Sequence, residues 1–436
     1  MTEPNSFGKD DDSIETSPRP SMRSLAFVLA LPLLVVVLLL VFSPNFQTIE
    51  GPRSAPLGGD FLQEWIGATV IAGGESSRLY DAEYVQGLEH DPELVGFEWP
   101  RKDYFPMVYP PFYYQMLRPF SSIPYPWAAR LWAVLSALSI SLTAWLLFRF
   151  YPSCRRVILI GVVASLLFVP LLNCLNMGQK STFLLMILAS TFLLLRNQRP
   201  FLAGLVFGLI VFKPHLGAVI GVAMLLKGQW RFAAGAMAVV ALALISSWLS
   251  YPQLLVDYVA TLAGMGDYVQ TGGYDLADSH SLWGASQLTF GGLADGAVKG
   301  ITVVLALGVV CLLWFVLRGR LKTDSAMFPR QYAAMVIAMV LLSPHFYSYD
   351  LTILLLPMLL IVVRDRPGEW KARATDQILA MVVLGLFVLA GMFASIGGAI
   401  RVQPSVFLLV AALVLIGQGC NCQNGFPPAP LPTNSD

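Results

Sequence analysis

The sequence predicts an all-α polytopic membrane protein of about twelve transmembrane helices, with two long extracytoplasmic loops. Three observations predict it. Of 436 residues, 56% are hydrophobic and 13% charged, against about 25% charged in soluble domains; the mean hydropathy is +0.65. Apolar runs recur that are long enough to cross ~30 Å of hydrocarbon at ~1.5 Å per residue, without the short alternation of barrel strands. Lys and Arg, finally, gather in alternate connections between those runs. A net charge of +1 argues against nucleic acid as a partner.

The chain opens on residues 1–23, a polar tail with Asp10-Asp11-Asp12 and several Ser and Pro, read as disordered and cytoplasmic. Residues 24–42 are too long and apolar for a cleaved signal and read as the first span. Further spans are expected near 126–148, 154–172, 178–195, 199–212, 214–227, 231–250, 297–318, 328–343, 348–364, 374–397 and 403–418. The pieces 199–212 and 214–227 fall short of ~20 residues and are either tilted, broken or a re-entrant pair. Residues 419–436 form a second cytoplasmic tail, so that 24–418 make a single integral membrane domain.

Charge supports the alternation. With the N-terminus inside, the cytoplasmic connections hold Arg149, Arg155, Arg156; Arg196, Arg199; Lys227, Arg231; Arg318, Arg320, Lys322, Arg330; and Arg364, Arg366, Lys371, Arg373. The short outer connections hold only Lys180, Lys213 and Arg401, a strong positive-inside bias that puts both termini in the cytoplasm. The long loops 43–125 and 251–296 then face outward; loops of this length are usually functional. The second has no Lys or Arg before residue 297 but carries Asp257, Asp267, Asp275, Asp278 and His280. No internal repeat is evident, which weakens an inverted-repeat transporter.

Of five cysteines, Cys154 and Cys311 fall in or beside apolar runs. Cys420-Asn421-Cys422 lacks a second Cys or His pair for a metal, and no disulfide framework emerges.

The same charge rule sends the four histidines, His90, His215, His280 and His345, to the outer side, with Asp60, Asn176, Gln179, Lys180 and Lys213. An outward polar cavity at the helix mouths follows. Asp60 with Gln63 reads as a capping box ahead of an amphipathic stripe that Gly73-Gly74 ends; alternatively its carboxylate is a base. Tyr109-Pro110-Pro111-Phe112 imposes extended backbone, as a connector or a cleft wall. Asn176-Met177-Gly178-Gln179-Lys180 offers donors at a helix N-terminus, which suit an anion, or a snorkelling Lys. Lys213-Pro214-His215 breaks a helix at membrane depth, where ionisable groups are functional by default. Ser343-Pro344-His345-Phe346-Tyr347-Ser348-Tyr349-Asp350 reads as an aromatic belt or a substrate surface.

Taken in order, Gly59-Asp60-Phe61, Tyr109-Pro110-Pro111-Phe112, Asn176-x-Gly178-Gln179, Ala203-Gly204-x3-Gly208-x4-Lys213-Pro214 and Ser343-Pro344-His345-x3-Tyr349-Asp350 resemble glycosyltransferase family 87, membrane enzymes of the GT-C class. The resemblance runs from about residue 24 to about residue 365. It implies an inverting transfer of a hexose such as mannose, or a pentose, from a polyprenyl-phosphate-linked donor to a lipid or glycan acceptor, on the outer face of the plasma membrane. It implies Asp60 as general base. Tyr349 stands near where mannosyltransferase relatives commonly carry a His, which leaves the sugar open. An inverting transfer needs one base and stabilisation of the departing phosphate. Lys213, His345, Gln179 and Lys180 are expected to bind that phosphate, with Tyr109, Asn176, His215, Tyr349 and Asp350 lining the cleft. Outside the polar tail's Asp10-Asp11-Asp12 no Asp-x-Asp signature occurs, so no metal or cofactor is expected; membrane lipids surround the donor chain. The competing readings are a transporter or glycolipid flippase, and an assembly protein using its outer loops.

Overall fold

The computed structural model describes residues 22–47, 53–100, 104–151, 155–271, 275–363 and 374–424. Of the tails expected at 1–23 and 419–436, residues 1–21 and 425–436 lie outside the described residues, as do Cys154, Arg364, Arg366, Lys371, Arg373 and the side chains of Asp267, Cys420 and Cys422, while 22–23 and 419–424 belong to helices. The described chain is helical, and its one strand-like pairing is an isolated bridge between Ser279 and Tyr347.

Helix α1 (Met22–Phe42) leads into the long loop 43–125. That loop holds α2 (Phe61–Ala72), α3 (Ala82–Glu89), α4 (Pro92–Val95) and α5 (Pro111–Leu117). Next come α6 (Tyr125–Phe150), α7 (Arg155–Ser165), α8 (Val169–Asn176), α9 (Ser181–Arg196), α10 (Pro200–Gly208), α11 (Pro214–Leu226) and α12 (Trp230–Ser250). The long loop 251–296 carries α13 (Pro252–Thr271) and α14 (Leu282–Phe290), followed by α15 (Asp295–Val316) and α16 (Phe328–Leu342). The chain then runs through α17 (Leu355–Val362), α18 (Ala374–Leu389), α19 (Phe393–Ile400) and α20 (Pro404–Asn424).

Every expected apolar run is helical, but twelve uninterrupted spans do not result. Among the described residues three helices, α6, α12 and α15, are long and apolar enough to cross a membrane alone. The run 154–172 bends by 59° between α7 and α8, and 374–397 by 91° between α18 and α19, which gives up to five spans by length. Pro170, just inside α8, has no N–H to continue α7's ladder. The runs 199–212 and 348–364 change winding, with 3₁₀ turns at Leu209–Phe212 and Ser348–Leu354.

Helix α16 is the centre. Nearly all its side chains are buried, from Phe328 to Leu341, as expected of a helix apolar all round. Helices α12 and α15 are the opposite: apolar, yet largely exposed, with Leu242, Leu249, Val304 and Leu307 on the surface. In a membrane protein such faces meet lipid.

Helix α2 is not a surface amphipathic helix. Ten of its twelve residues, Phe61 to Ile71 without Thr69, are buried, and a Cβ on Gly67 would sit 2.2 Å from the Tyr114 ring. Gly73 ends it, its N–H donating to the Thr69 carbonyl. The expected capping box is absent. Asp60 has helical φ −67° and ψ −10°, and its side chain makes no cap bond. A capping carboxylate needs an extended backbone; the left-handed pair Gly58-Gly59, φ +71° and +62°, makes the turn instead. Asp60 therefore enters already helical.

Candidate active site

Two glycine turns build the site. Gly58-Gly59 delivers Asp60 to the start of α2, and Gly178, φ +61°, reverses the chain between α8 and α9. The turns interlock. A Cβ on Gly59 would lie 2.7 Å from the Met177 backbone, and one on Gly178 would lie 2.4 Å from the Gly58 carbonyl oxygen. The Asp60 N–H donates to the Met177 carbonyl at 3.0 Å. Aromatic residues hold the turns in place: Trp132 Nε1 donates to the Gly178 carbonyl at 2.8 Å, and the Tyr125 hydroxyl to that of Leu57.

The side chains then meet in two clasps. Gln179 Nε2 donates to Asp60 Oδ2. The next residue, Lys180, donates through Nζ to Glu64 Oε1. Lys180 is 1% exposed and Glu64 0%, while Asp60 is half-buried. The Lys180 ammonium also lies 4.3 Å from the Tyr109 ring centroid, a cation–π contact. Burial holds the Asp60 carboxyl above its usual range, against the pull of Lys180, Gln179 and Lys213. Burial likewise pushes Glu64 up to about 7, with Lys180 opposing.

A second pair closes the site from the other side. Lys213, between the 3₁₀ turn and α11, donates to Asp350 Oδ1 at 3.0 Å, and Ser181 Oγ donates to the same oxygen at 2.5 Å. Asp350 belongs to the segment that follows α16. The 251–296 loop pins that segment: the His280 N–H donates to the Phe346 carbonyl at 2.8 Å and Ser348 Oγ to Asp278 Oδ2 at 3.0 Å. His215 and His345 lie within electrostatic reach of Lys213 and Asp350, and the His345 ring meets Tyr347 edge-on at 4.4 Å. Tyr349 stands 5.9 Å from Tyr347, ring to ring.

The predicted residues thus divide. Asp60, Tyr109, Gln179, Lys180, Lys213 and Asp350 share one cluster, with His215 and His345 beside it. Asn176 sits apart, its Oδ1 accepting from Ser43 Oγ at 2.5 Å and tying α8 to the end of α1. Two histidines grouped with the site by topology are structural: His90 stacks on Trp99 at 4.2 Å, and buried His280 places Nδ1 2.8 Å from Ser405 Oγ. Pro110 is extended, ψ 156°, and Pro111 opens α5, so the Pro-Pro pair turns Tyr109 inward. Glu64 was missed. Its signal was an acid in an otherwise apolar helix, one turn after Asp60 and so on the same face. Among the described residues no three His, Cys, Asp or Glu side chains are grouped to hold a metal ion.

A family model, glycosyltransferase family 87, matches residues 107–344. The chain belongs to glycosyltransferase family 87. No curated protein and no solved structure matches it. The matched region is narrower than the motif order implied: it holds Tyr109, Gln179, Lys180 and Lys213, while Asp60 and Glu64 precede it and His345 and Asp350 follow it. This glycosyltransferase is therefore an enzyme of the membrane, acting on a sugar donor and an acceptor.

Proposed function

We propose that this glycosyltransferase moves a hexose or pentose from a polyprenyl-phosphate donor to a lipid or glycan hydroxyl, with inversion, on the extracytoplasmic face of the plasma membrane. One observation carries the reading: the half-buried Asp60 carboxylate, held by a neutral amide, shares a site with Lys213. Asp60 takes the proton of the acceptor hydroxyl as its oxygen bonds the anomeric carbon. The carbon–oxygen bond to the phosphate breaks, and the polyprenyl phosphate leaves with the electron pair. Lys213, with His345 and His215 nearby, would meet the charge that grows on that phosphate. The apolar chain would stay among the helices.

The test is turnover of purified protein with a panel of radiolabelled polyprenyl-phosphate sugars. Asp60→Asn should fold normally and lose about 100-fold or more in kcat, the scale of a general base. Near-normal transfer by that variant would remove Asp60 as base. A base works only when ionised, so kcat/KM should fall as pH drops through the Asp60 titration, above the ordinary carboxylate range.

A further inference from the structure

We propose that Glu64 is a positioning residue for this transfer: its ion pair with Lys180 cancels the lysine's charge beside Asp60 and anchors the turn whose Gln179 grips the base. The inference rests on the reading of Asp60 as base.

Glu64 and Asp60 are four residues apart at the start of α2, on one face. Lys180 and Gln179 are consecutive in the facing turn. The two clasps, Gln179 to Asp60 and Lys180 to Glu64, therefore join α2 to the turn before α9 at two neighbouring points. Lys180, 1% exposed, is committed: Glu64 Oε1 holds its ammonium and Tyr109 covers it. It cannot reach a bound phosphate without breaking a buried ion pair.

An uncompensated lysine near a carboxylate lowers that carboxylate's pKa by about 1–3 units and weakens it as a base. The charged and titratable groups facing Asp60 are Glu64, Lys180, Lys213, Asp350, Tyr109 and Tyr125. Each lysine has its own carboxylate, Lys180 with Glu64 and Lys213 with Asp350. Asp60 is the carboxylate left with a neutral amide. Burial raises both carboxyls, and the lysine in contact pulls Glu64 back toward its charged form. Glu64 Oε2 is buried without a hydrogen-bond partner. An acid with half its acceptor capacity unmet is costly for packing alone, which fits a charge-cancelling role.

The experiment is an infrared pH titration of carboxyl bands on purified protein in lipid nanodiscs. The Asp60 band is assigned as the one that Asp60→Asn removes. In Glu64→Gln the unscreened Lys180 should move the Asp60 titration about 1–3 units lower. In Lys180→Gln the buried Glu64 should take up a proton at neutral pH, and Asp60 should move by less than about one unit. An unmoved Asp60 band in Glu64→Gln overturns the inference. So does a rise of about 1–3 units in Lys180→Gln, because the lysine was then acting on Asp60 unscreened. If Glu64→Gln fails to fold, the Lys180→Gln arm decides. Neither arm requires a donor, so failure here differs from failure of the base reading, which is turnover by Asp60→Asn.

Discussion

Asp350 Oδ1 accepts from both Ser181 and Lys213, and Asp350 is 1% exposed. Lys213 thus has two possible occupations, neutralising Asp350 and meeting a donor phosphate, and they separate in variants. Lys213→Met alone leaves a buried carboxylate with a hydroxyl as its partner and should destabilise the protein by roughly 3–5 kcal/mol. The double variant Lys213→Met, Asp350→Asn removes both charges and should regain most of that stability in a thermal melt. Donor KM should stay raised about tenfold to a hundredfold, the worth of a charge-assisted hydrogen bond to phosphate. A double variant that recovers both would show the lysine serving Asp350 alone. These polar residues were legible because each interrupts an apolar stretch: Lys213 before a Pro, Gln179 and Lys180 beside a Gly. Glu64 was not, because it lies inside the stripe that fills the core. The capping of Asp60 was misread because cap geometry depends on φ and ψ, which Gly58-Gly59 sets from outside the motif.

Helix α10 places Lys213, and its own position is set by contact with α12. The two backbones touch. A Cβ on Gly204 would lie 2.0 Å from the Phe232 carbonyl oxygen, and one on Gly235 would lie 2.2 Å from that of Phe201. Gly208 continues the crossing, 2.7 Å from Val239 Cβ. This is the small-residue packing by which helices associate in lipid, where no hydrophobic force drives them together. It gives the Ala203-Gly204-x3-Gly208 segment a structural reason beside its place in the family pattern. Gly204→Leu should lower stability by about 1–3 kcal/mol or more, since backbone must move, and should abolish transfer by displacing Lys213. The same change at Gly300, where a Cβ meets nothing within 4 Å, should alter stability by about 0.5 kcal/mol or less. Equal melting temperatures for the two variants would show that the α10–α12 contact is not structural. The existence of helices was legible from apolar runs, but their breaks were only partly so. Lys213-Pro214 announced a break. The 91° bend between α18 and α19 is centred on residues 390–392, where Gly391 would set a Cβ 2.8 Å from Val169, a tertiary contact that no local pattern records.

The whole molecule has two chemically different ends. At one end Lys180 precedes α9, Lys213 precedes α11, and Ser343 follows α16. At the other, Arg196 ends α9 and donates to the Ser325 carbonyl at 2.7 Å, and Lys227 follows α11 and lies 3.4 Å from the Gly319 carbonyl. The 318–325 connection therefore gathers the basic ends, and the site occupies the opposite ends of the same helices. The 251–296 loop belongs to the site end, because Ser279 bridges Tyr347 and Ser348 bonds Asp278. The positive-inside rule orients such a molecule with the basic end in the cytoplasm. Single cysteines test the orientation in a background freed of the five native ones. Gly292→Cys, in the exposed turn after α14 with open space around it, should react with a membrane-impermeant maleimide added to intact cells. Asp324→Cys, exposed in the 318–325 connection, should react only after the cells are broken. The reversed pattern would place the Asp60 site in the cytoplasm and rule out an extracytoplasmic transfer. Labelling of both in intact cells would mean that the basic and site ends share one side, which helices running between them as membrane spans cannot allow.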